Sequence, residues 1–158
     1  MSATSANVSF DEWCASPIPP HTAAAYYLQP VMTLSTQLIA INHYPAGAAI
    51  GYGQAWSCPE NMPVGVAAIG YGDGYPRHAA AGTPVLLNGA RVPLIGRVSM
   101  DMITLDLRTQ PHARLGDTVT LGGAGLPVEE VAACAGTIPY TLLCAVTPRV
   151  RIVEQEHG

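Results

Sequence analysis

The stretch from Val85 to Val92 reads Val-Leu-Leu-Asn-Gly-Ala-Arg-Val. Asn-Gly favours a type I′ turn, because both central positions of that turn need a positive φ. Apolar residues of strand character flank the pair on both sides. The stretch therefore predicts a β-hairpin with Asn88 and Gly89 at its tip, and a hairpin joins antiparallel neighbours.

Segments on both sides of this hairpin alternate between apolar and polar residues, which is the period of a half-buried strand. After Pro30, one face carries Met32, Leu34, Leu38 and Ala40, and the other carries Thr33, Ser35 and Gln37. Further strands are predicted at 48–56, 64–70, 84–88, 91–95, 102–107, 117–121 and 149–154. About eight half-buried strands predict a mainly β fold, an antiparallel barrel-like domain with one wet face.

One or two short helices are expected near the end of the chain. Pro127 suits a first helical turn, and Glu129 and Glu130 favour the positive end of the helix dipole. Gly136 then ends this helix. An apolar stripe is formed by Val128, Val131, Ala132 and Ala135. A second helix is predicted over 140–146, with Pro148 ending it.

Residues 1–29 differ from the rest, because they are small, polar and proline-rich. A run such as Ser16-Pro17-Ile18-Pro19-Pro20 continues neither a helix nor a central strand. We therefore expect an irregular lead-in over 1–29 and one β domain over 30–158.

Composition limits the classes of function. Only 11% of the residues are charged, against about 25% in a typical soluble domain. This fits either a compact core rich in alanine and glycine or an apolar surface that meets a partner. The net charge of −4 without a basic cluster argues against nucleic acid, and no apolar run approaches a membrane span. Four cysteines without metal spacing, and no signal-peptide pattern, predict a cytoplasmic protein with reduced thiols.

Two tyrosines flanked by glycines are the most conspicuous functional pattern. Glycines beside an aromatic residue let the backbone turn sharply and hold the ring in an accessible place. From the pattern alone, such a ring is either a functional phenol or packing for the turn. The stretches are Gly51-Tyr52-Gly53, Gly70-Tyr71-Gly72-Asp73-Gly74-Tyr75-Pro76-Arg77 and, further on, Gly96-Arg97-Val98-Ser99-Met100-Asp101-Met102.

Other chemistries have little support in these stretches. Tyr75 stands where a dinucleotide fingerprint needs its third glycine. Asp73, His78 and Asp101 have no spacing typical of metal ligands, so no metal site is predicted.

From about residue 16 to residue 153 the chain resembles the carboxy-terminal domain of bacterial alanine racemases. The similar stretches keep their order and their spacing. They are Gln29 to Leu34, Ile50 to Gly53, Gly70 to His78, Gly82 to Leu86, Gly96 to Met102 and Pro139 to Val150.

In that family a (β/α)8 barrel that carries pyridoxal phosphate (PLP) is followed by a β domain. Two chains pair head to tail, so that the β domain of each completes the active site of the other. The resemblance implies a small amino-acid substrate and the interconversion of L-alanine and D-alanine, a peptidoglycan precursor. Alanine, serine and other amino acids remain open as the substrate.

The resemblance also assigns residues. It implies that Tyr52 is the catalytic acid/base opposite the family's PLP-bound lysine, and that the Met100 amide binds the substrate carboxylate. Tyr140 corresponds to a cofactor-binding tyrosine near the PLP phosphate. The entrance corridor corresponds to Tyr71, Arg97 and Asp101. For Tyr71 and Arg97 the alternative is that they hold the turn and pair with Asp73 or Asp101.

This chain departs from the family in one chemical respect, because all seven of its basic residues are arginines. PLP is normally held by a lysine, so this chain does not bind it covalently. We expect the cofactor from a complementary PLP barrel or a homologous racemase subunit. Deprotonating an ordinary phenol at pH 8 costs roughly 2.7 kcal/mol, so Tyr52 alone is expected to stay protonated.

The start of the chain departs too, since Trp13 to Pro17 stands where the family usually has a Tyr-Gly at the end of the barrel. We expect a chain that begins after the barrel, with a short new leader. Three functions fit: a racemase domain that is inactive without its PLP barrel, a non-catalytic domain that pairs with a racemase, and a truncated remnant.

Overall fold

The structure, a computed structural model, describes residues 30–154, apart from the side chain of Tyr52. The lead-in predicted over 1–29 lies outside these residues. The strands are β1 (Leu34–Tyr44), β2 (Ala49–Ile50), β3 (Trp56–Ser57), β4 (Met62–Ala67), β5 (Pro84–Leu87), β6 (Ala90–Ile95), β7 (Ile103–Asp106) and β8 (Thr118–Gly122). The helices are α1 (Val128–Cys134) and α2 (Pro139–Ala145).

Six of these strands form a closed barrel in the order β1-β4-β7-β6-β5-β8. Every pairing is antiparallel, and β8 returns to β1, with Leu34 opposite Gly122. The other two strands, β2 and β3, form a small sheet of their own. The predicted mainly β, antiparallel barrel is confirmed.

The Asn88-Gly89 hairpin is also confirmed. Leu87 pairs with Ala90 across the turn, and φ is 49° at Asn88 and 84° at Gly89. The Asn88 side chain accepts a hydrogen bond from the Thr118 amide at 3.2 Å. The hairpin tip is thereby fixed to β8.

The barrel interior holds one hydrophobic core, and burying each of its large aliphatic side chains stabilises the fold by about 1.5–3 kcal/mol. The largest side chains of this core include Leu38, Leu87, Leu94, Ile103, Leu105, Leu107, Leu121 and Leu126. A second cluster, formed by Ile50, Cys58, Met62, Val64 and Ile95, packs the β2-β3 sheet against the barrel. This cluster fixes the position of the turn that follows β2.

Both predicted helices are present. In α1, Glu129 and Glu130 lie in the first turn and Val131 is buried, while Gly136 follows the helix with φ 63°. Arg91 of β6 forms a two-bond ion pair with Glu130. This pair joins α1 to the outer face of the barrel.

Two of the predicted strands were wrong. Residues 149–154 form a turn and an irregular segment. The strand predicted over 48–56 is two short strands separated by a turn with positive φ at Gly51 and Gly53. In addition, β1 begins at Leu34, so Met32 precedes it and is exposed.

Among residues 30–154, no helix is long and apolar enough to cross a membrane.

Candidate functional site

Three loops that carry the sequence motifs meet at one end of the barrel. In the sheet, Ala67 at the end of β4 pairs with Ile103, and Ile95 at the end of β6 pairs with Thr104. The segment Gly70–Gly74, here the Gly70 loop, follows β4, and the segment Gly96–Met102, here the Met100 loop, joins β6 to β7. Both loops therefore emerge at the same rim.

The Gly70 loop and the Met100 loop are joined through their backbones. The Tyr71 amide donates to the Ser99 carbonyl at 3.0 Å, and the Gly72 amide donates to the Met100 carbonyl at 2.9 Å. A Cβ atom at Gly70 would lie 2.3 Å from the Ser99 carbonyl oxygen. Only glycine allows this approach, so the sequence motif has a steric cause.

Within the Met100 loop, a serine side chain closes a tight turn. The Ser99 hydroxyl donates to the Met102 carbonyl at 2.9 Å and accepts from the Met102 amide at 3.0 Å. The Met100 amide has no acceptor among residues 30–154, and Met100 is 50% exposed. This amide is therefore a rigid donor that is available to an external acceptor.

Arg149 holds the two loops together through their side chains. Its Nη2 lies 2.6 Å from Asp101, and its Nε lies 3.2 Å from Asp73. The hydrogen bond to Asp101 and the charge of Asp73 raise the pKa of Arg149. Among residues 30–154 neither Tyr71 nor Arg97 pairs with these carboxylates, which Arg149 binds instead. The other half of that alternative holds for Tyr71, whose amide fixes the turn to Ser99.

The segment after α2 also binds the Gly70 loop. The Thr147 hydroxyl donates to the Gly72 carbonyl at 2.9 Å, and the Thr147 amide donates to the Asp73 carbonyl at 3.1 Å. Gly74 lies against Ala145, since a Cβ at Gly74 would come within 2.2 Å of the Ala145 carbonyl oxygen. The loop is thus clamped between the Met100 loop and the end of α2.

The turn that contains Tyr52 packs against the Met100 loop. It is a 3-10 helix over Tyr52–Gln54, preceded by Gly51 with φ 78°. A Cβ at Gly51 would lie 3.0 Å from the Arg97 amide nitrogen, and one at Gly53 would lie 3.7 Å from Arg97 Nη1. The backbone of the Tyr52 turn therefore lies beside Arg97.

Two open cavities lie along these loops, and Arg97 and Ser99 line both. The smaller, of about 380 Å³, lies between the Tyr52 turn and the barrel and is lined by Gly51, Val66, Arg97, Ser99, Met102 and Thr104. The larger, of about 710 Å³, is here called the arginine cavity. Its lining includes Tyr71, Arg77, His78, Arg97, Ser99 and Met100.

The structure brings Tyr71, Arg97 and Met100 together at the arginine cavity. Asp101 lies beside Met100 but points to Arg149, and it lines neither cavity. Tyr140 is the second residue of α2 and is 59% exposed, while the opposite end of that helix contacts Gly74. The roles assigned to these residues, and to Tyr52, stay predictions.

Sequence reasoning missed two arginines of this region. Arg149 meets Asp101 across 48 positions of sequence, so no local pattern could reveal it. Arg77 belongs to the quoted motif, but the motif does not predict its contact with Tyr71. In the structure its guanidinium carbon lies 5.7 Å from the centre of the Tyr71 ring. Within the described range, no group of three or more histidine, cysteine, aspartate or glutamate side chains could hold a metal ion.

A comparison with known families matches residues 31–154 to "Alanine racemase, C-terminal domain". The chain belongs to the alanine racemase C-terminal domain family. An alanine racemase from Nitrosococcus oceani is 68% identical over 136 residues, which are 86% of this chain and 38% of that protein.

Solved alanine racemases agree in fold. The biosynthetic alanine racemase of Pseudomonas aeruginosa is 49% identical with a TM-score of 0.82, and the match covers 85% of this chain and 38% of that one. An alanine racemase from Bartonella henselae with covalently bound PLP is 30% identical with a TM-score of 0.69, covering 74% and 33%. The chain thus spans between a third and two fifths of the length of these alanine racemases.

Proposed function

We propose that this chain supplies the C-terminal domain of an alanine racemase and acts together with a PLP-carrying barrel outside its 158 residues. The observation that carries the proposal is the joining of the family's three motif loops at one rim of the barrel. The Tyr52 turn, Tyr71 and Met100 are all held there by backbone contacts. They form one wall of a site.

The chain's own residues fit PLP as neighbours rather than as its carriers. No lysine is present to bind it covalently. Tyr140 and Met100 are both at least half exposed, which supports their contact with a molecule held by another segment or polypeptide. In this proposal Tyr140 contacts the cofactor's phosphate, and PLP supplies an electron sink that makes the substrate Cα proton labile.

Racemisation needs a base on one face of the substrate Cα and an acid on the opposite face. We assign Tyr52 to one of these faces, with proton transfer at its phenol oxygen. Deprotonating a phenol of ordinary pKa at pH 8 costs roughly 2.7 kcal/mol. A cationic environment from the PLP-carrying partner is therefore part of the proposal.

Binding and orientation are assigned to the Met100 loop. The Met100 amide is rigid for two reasons. The Ser99 side chain closes the turn through its hydrogen bonds with Met102, and the carbonyl of Met100 itself accepts a hydrogen bond from the Gly72 amide. A fixed amide that donates to the substrate carboxylate lowers the orientational freedom of the Cα–H bond. Tyr71, Arg97 and Asp101 form the approach to this point.

The test is reconstitution. The purified chain alone is expected to give no racemisation of L-alanine, and addition of a PLP-loaded racemase barrel is expected to restore it. Tyr52→Phe should abolish the restored activity, whereas Arg114→Gln, at an exposed position in the loop between β7 and β8, should retain it. L-serine in a parallel assay defines the substrate range.

Two outcomes contradict the proposal. Racemisation by the chain alone would show that it needs no PLP-carrying partner. A stable complex with a PLP-loaded barrel but no racemisation would show that the domain is not catalytic. If the chain instead co-purifies with an intact racemase and leaves its turnover unchanged or reduced, a non-catalytic interaction domain is the better interpretation.

A further inference from the structure

The tip of the β5-β6 hairpin carries a residue pair that is prone to spontaneous chemistry. Of the four asparagines in the chain, only Asn88 is followed by a glycine. Asparagine side chains are thermally labile, and glycine has no side chain to shield its backbone nitrogen. Asn88 and Gly89 are both exposed, and a Cβ at Gly89 would meet nothing within 4 Å. Water and hydroxide therefore reach this peptide bond.

The reaction that this pair permits is deamidation. Hydroxide takes the proton of the Gly89 backbone nitrogen, and that nitrogen attacks Cγ of Asn88. The new N–Cγ bond closes a succinimide ring, the Cγ–Nδ2 bond breaks, and ammonia leaves with a proton from water, which regenerates hydroxide. Water then opens the ring at either of its carbonyl carbons. The products are aspartate and isoaspartate, with a water consumed and an ammonia released.

The attacking nitrogen is not occupied by the fold. Leu87 and Ala90 are the pair of the β5-β6 ladder that is nearest the turn, so Gly89 lies outside that ladder. Across residues 30–154 the Gly89 amide has no hydrogen-bond acceptor. No protein contact therefore has to break before this nitrogen can react.

The Asn88 side chain, in contrast, is bound at both ends by residues at the start of β8. Its Oδ1 accepts a hydrogen bond from the Thr118 amide at 3.2 Å. Its amide group also binds the Asp117 carboxylate, and hydrogen bonds from the Arg114 amide and from Asn88 hold the pKa of Asp117 below its usual range. These contacts restrict the side-chain rotations that bring Cγ into line with the Gly89 nitrogen.

We propose that Asn88 is a deamidation site of this protein, which the folded barrel keeps unreactive through Asp117 and Thr118. Local opening of the hairpin tip frees the side chain, so the rate follows the population of the open tip. The inference is independent of the proposed racemase function, because the whole of β6 separates this tip from the Met100 loop.

Modification would prevent the tip from closing again. An aspartate at position 88 has no N–H donor for Asp117 and places a second negative charge beside it. Isoaspartate adds a methylene group to the backbone, which changes the spacing between Leu87 and Ala90. Each reaction therefore converts a transient opening of the tip into a permanent one.

The experiment follows the peptide that contains Asn88 by mass spectrometry while the full 158-residue chain is incubated at mildly alkaline pH. The folded chain should deamidate about tenfold or more slowly than the same chain in guanidinium chloride, the scale of two lost hydrogen bonds. The peptides that contain Asn42 and Asn61 are internal controls. Histidine and methionine follow these asparagines, so both peptides should change little in either condition.

Three variants test the contact with Asp117. Asp117→Ala should accelerate deamidation of the folded chain about three- to tenfold, the scale of one hydrogen bond to a charged acceptor at an exposed site. Asp117→Asn keeps an oxygen acceptor and should stay near the parent rate. Glu129→Ala removes a carboxylate from an exposed position in α1 and should leave the rate unchanged. Hydrogen exchange at Leu94 and Leu105 checks that each variant keeps the barrel.

Four results would overturn the inference. If Asn88 stays unmodified even in the denatured chain, it is not a deamidation site. Equal rates in the folded and denatured chain would show that the fold gives no protection. Slower reaction in Asp117→Ala would make that carboxylate a base that assists the attack. Equal acceleration in Asp117→Ala and Glu129→Ala would assign the effect to net charge.

Discussion

The amide of Gly72 donates a hydrogen bond to the carbonyl oxygen of Met100 at 2.9 Å. This contact fixes the Gly70 loop on the Met100 loop, so the two conspicuous motifs of the sequence form one unit. The contact requires close approach of two backbones, which glycine permits at positions 70 and 72. The stability and the activity of this unit can therefore be tested separately.

Gly70→Ala should destabilise the protein and displace the Met100 loop. The new Cβ would lie 2.3 Å from the Ser99 carbonyl oxygen and 2.4 Å from the Met100 carbonyl carbon. Both neighbours are backbone atoms, so relief requires a loop shift, at a cost of about 1–3 kcal/mol in the free energy of unfolding. Chemical denaturation measures this loss.

Gly122→Ala is the matched control for that substitution. A Cβ at Gly122 would meet nothing within 4 Å, and its φ lies outside the left-handed region. The free energy of unfolding should change by no more than about 0.5 kcal/mol. Equal effects of the two variants would contradict a steric requirement for glycine at position 70.

Arg149→Gln should loosen the loops with little effect on the barrel. The guanidinium that joins Asp73 to Asp101 is about half exposed, and exposed ion pairs contribute little to global stability. Hydrogen exchange should become faster at the Tyr71 and Gly72 amides and stay unchanged at Leu94 and Leu105. Arg151→Gln is the control. Faster exchange throughout the barrel would contradict a local clamp.

Asp106 should make stability sensitive to acid. Burial opposes its ionisation, but hydrogen bonds from the Arg108 side chain and backbone outweigh burial and hold the pKa of Asp106 below its usual range. A lowered folded-state pKa contributes stability above the unfolded value of about 3.9, and this contribution is lost as pH falls through the lower folded value.

Asp106→Asn tests whether the ionised Asp106 carboxylate stabilises the fold. The variant should be less stable than the parent at neutral pH, and the difference should shrink as pH falls below about 4. Denaturation at a series of pH values measures it, with Glu154→Gln, at an exposed site, as control. A difference that stays constant with pH would exclude Asp106 as the source.

Tyr75 carries an unsatisfied polar group in the core. Its side chain is 2% exposed, and its hydroxyl has no hydrogen-bond partner in the described part of the chain. Tyr75→Phe should leave the fold intact and raise the free energy of unfolding by up to about 1 kcal/mol, since a buried hydroxyl without a partner is costly. A substantial loss of stability would indicate a partner for that hydroxyl.

Tyr75 should also lower the free energy of unfolding at alkaline pH. Burial, and to a smaller extent Cys134, raises the pKa of Tyr75 above its usual range. A raised folded-state pKa contributes stability that falls as pH rises above the unfolded value of about 10. Tyr75→Phe should reduce this fall, as measured by unfolding at increasing pH. Identical alkaline profiles would contradict it.

Prediction from sequence succeeded where the information is local. The Asn88-Gly89 turn and the alternating strands around it depend on neighbours within a few residues, and so does the helix from Val128 to Cys134. The strand predicted over 149–154 was wrong, although Arg149-Val150-Arg151-Ile152 alternates like a strand. The barrel closes through β8 and β1, so its sheet offers no free edge to another strand.

In the motif loops, too, the sequence predicted the local features and missed the long-range contacts. Glycines beside Tyr52 and Tyr71 marked tight turns correctly, because positive φ and close approach are local demands. The sequence did not reveal that Arg149, rather than Arg97, binds Asp73 and Asp101. Charge pairing across 48 positions depends on which loops share a rim, and the closure of the barrel determines that.

The sequence by itself determined the mainly β fold class, the Asn88-Gly89 hairpin and the resemblance to a family whose tyrosines are flanked by glycines. It also determined that no lysine is present to bind PLP. These follow from local backbone preferences and from residue identity. Only the tertiary structure decided that Arg149 is neutralised while Arg77 and Arg97 remain available in one cavity. Whether a charge is paired depends on distances between segments far apart in sequence, and those distances exist only once the barrel has closed.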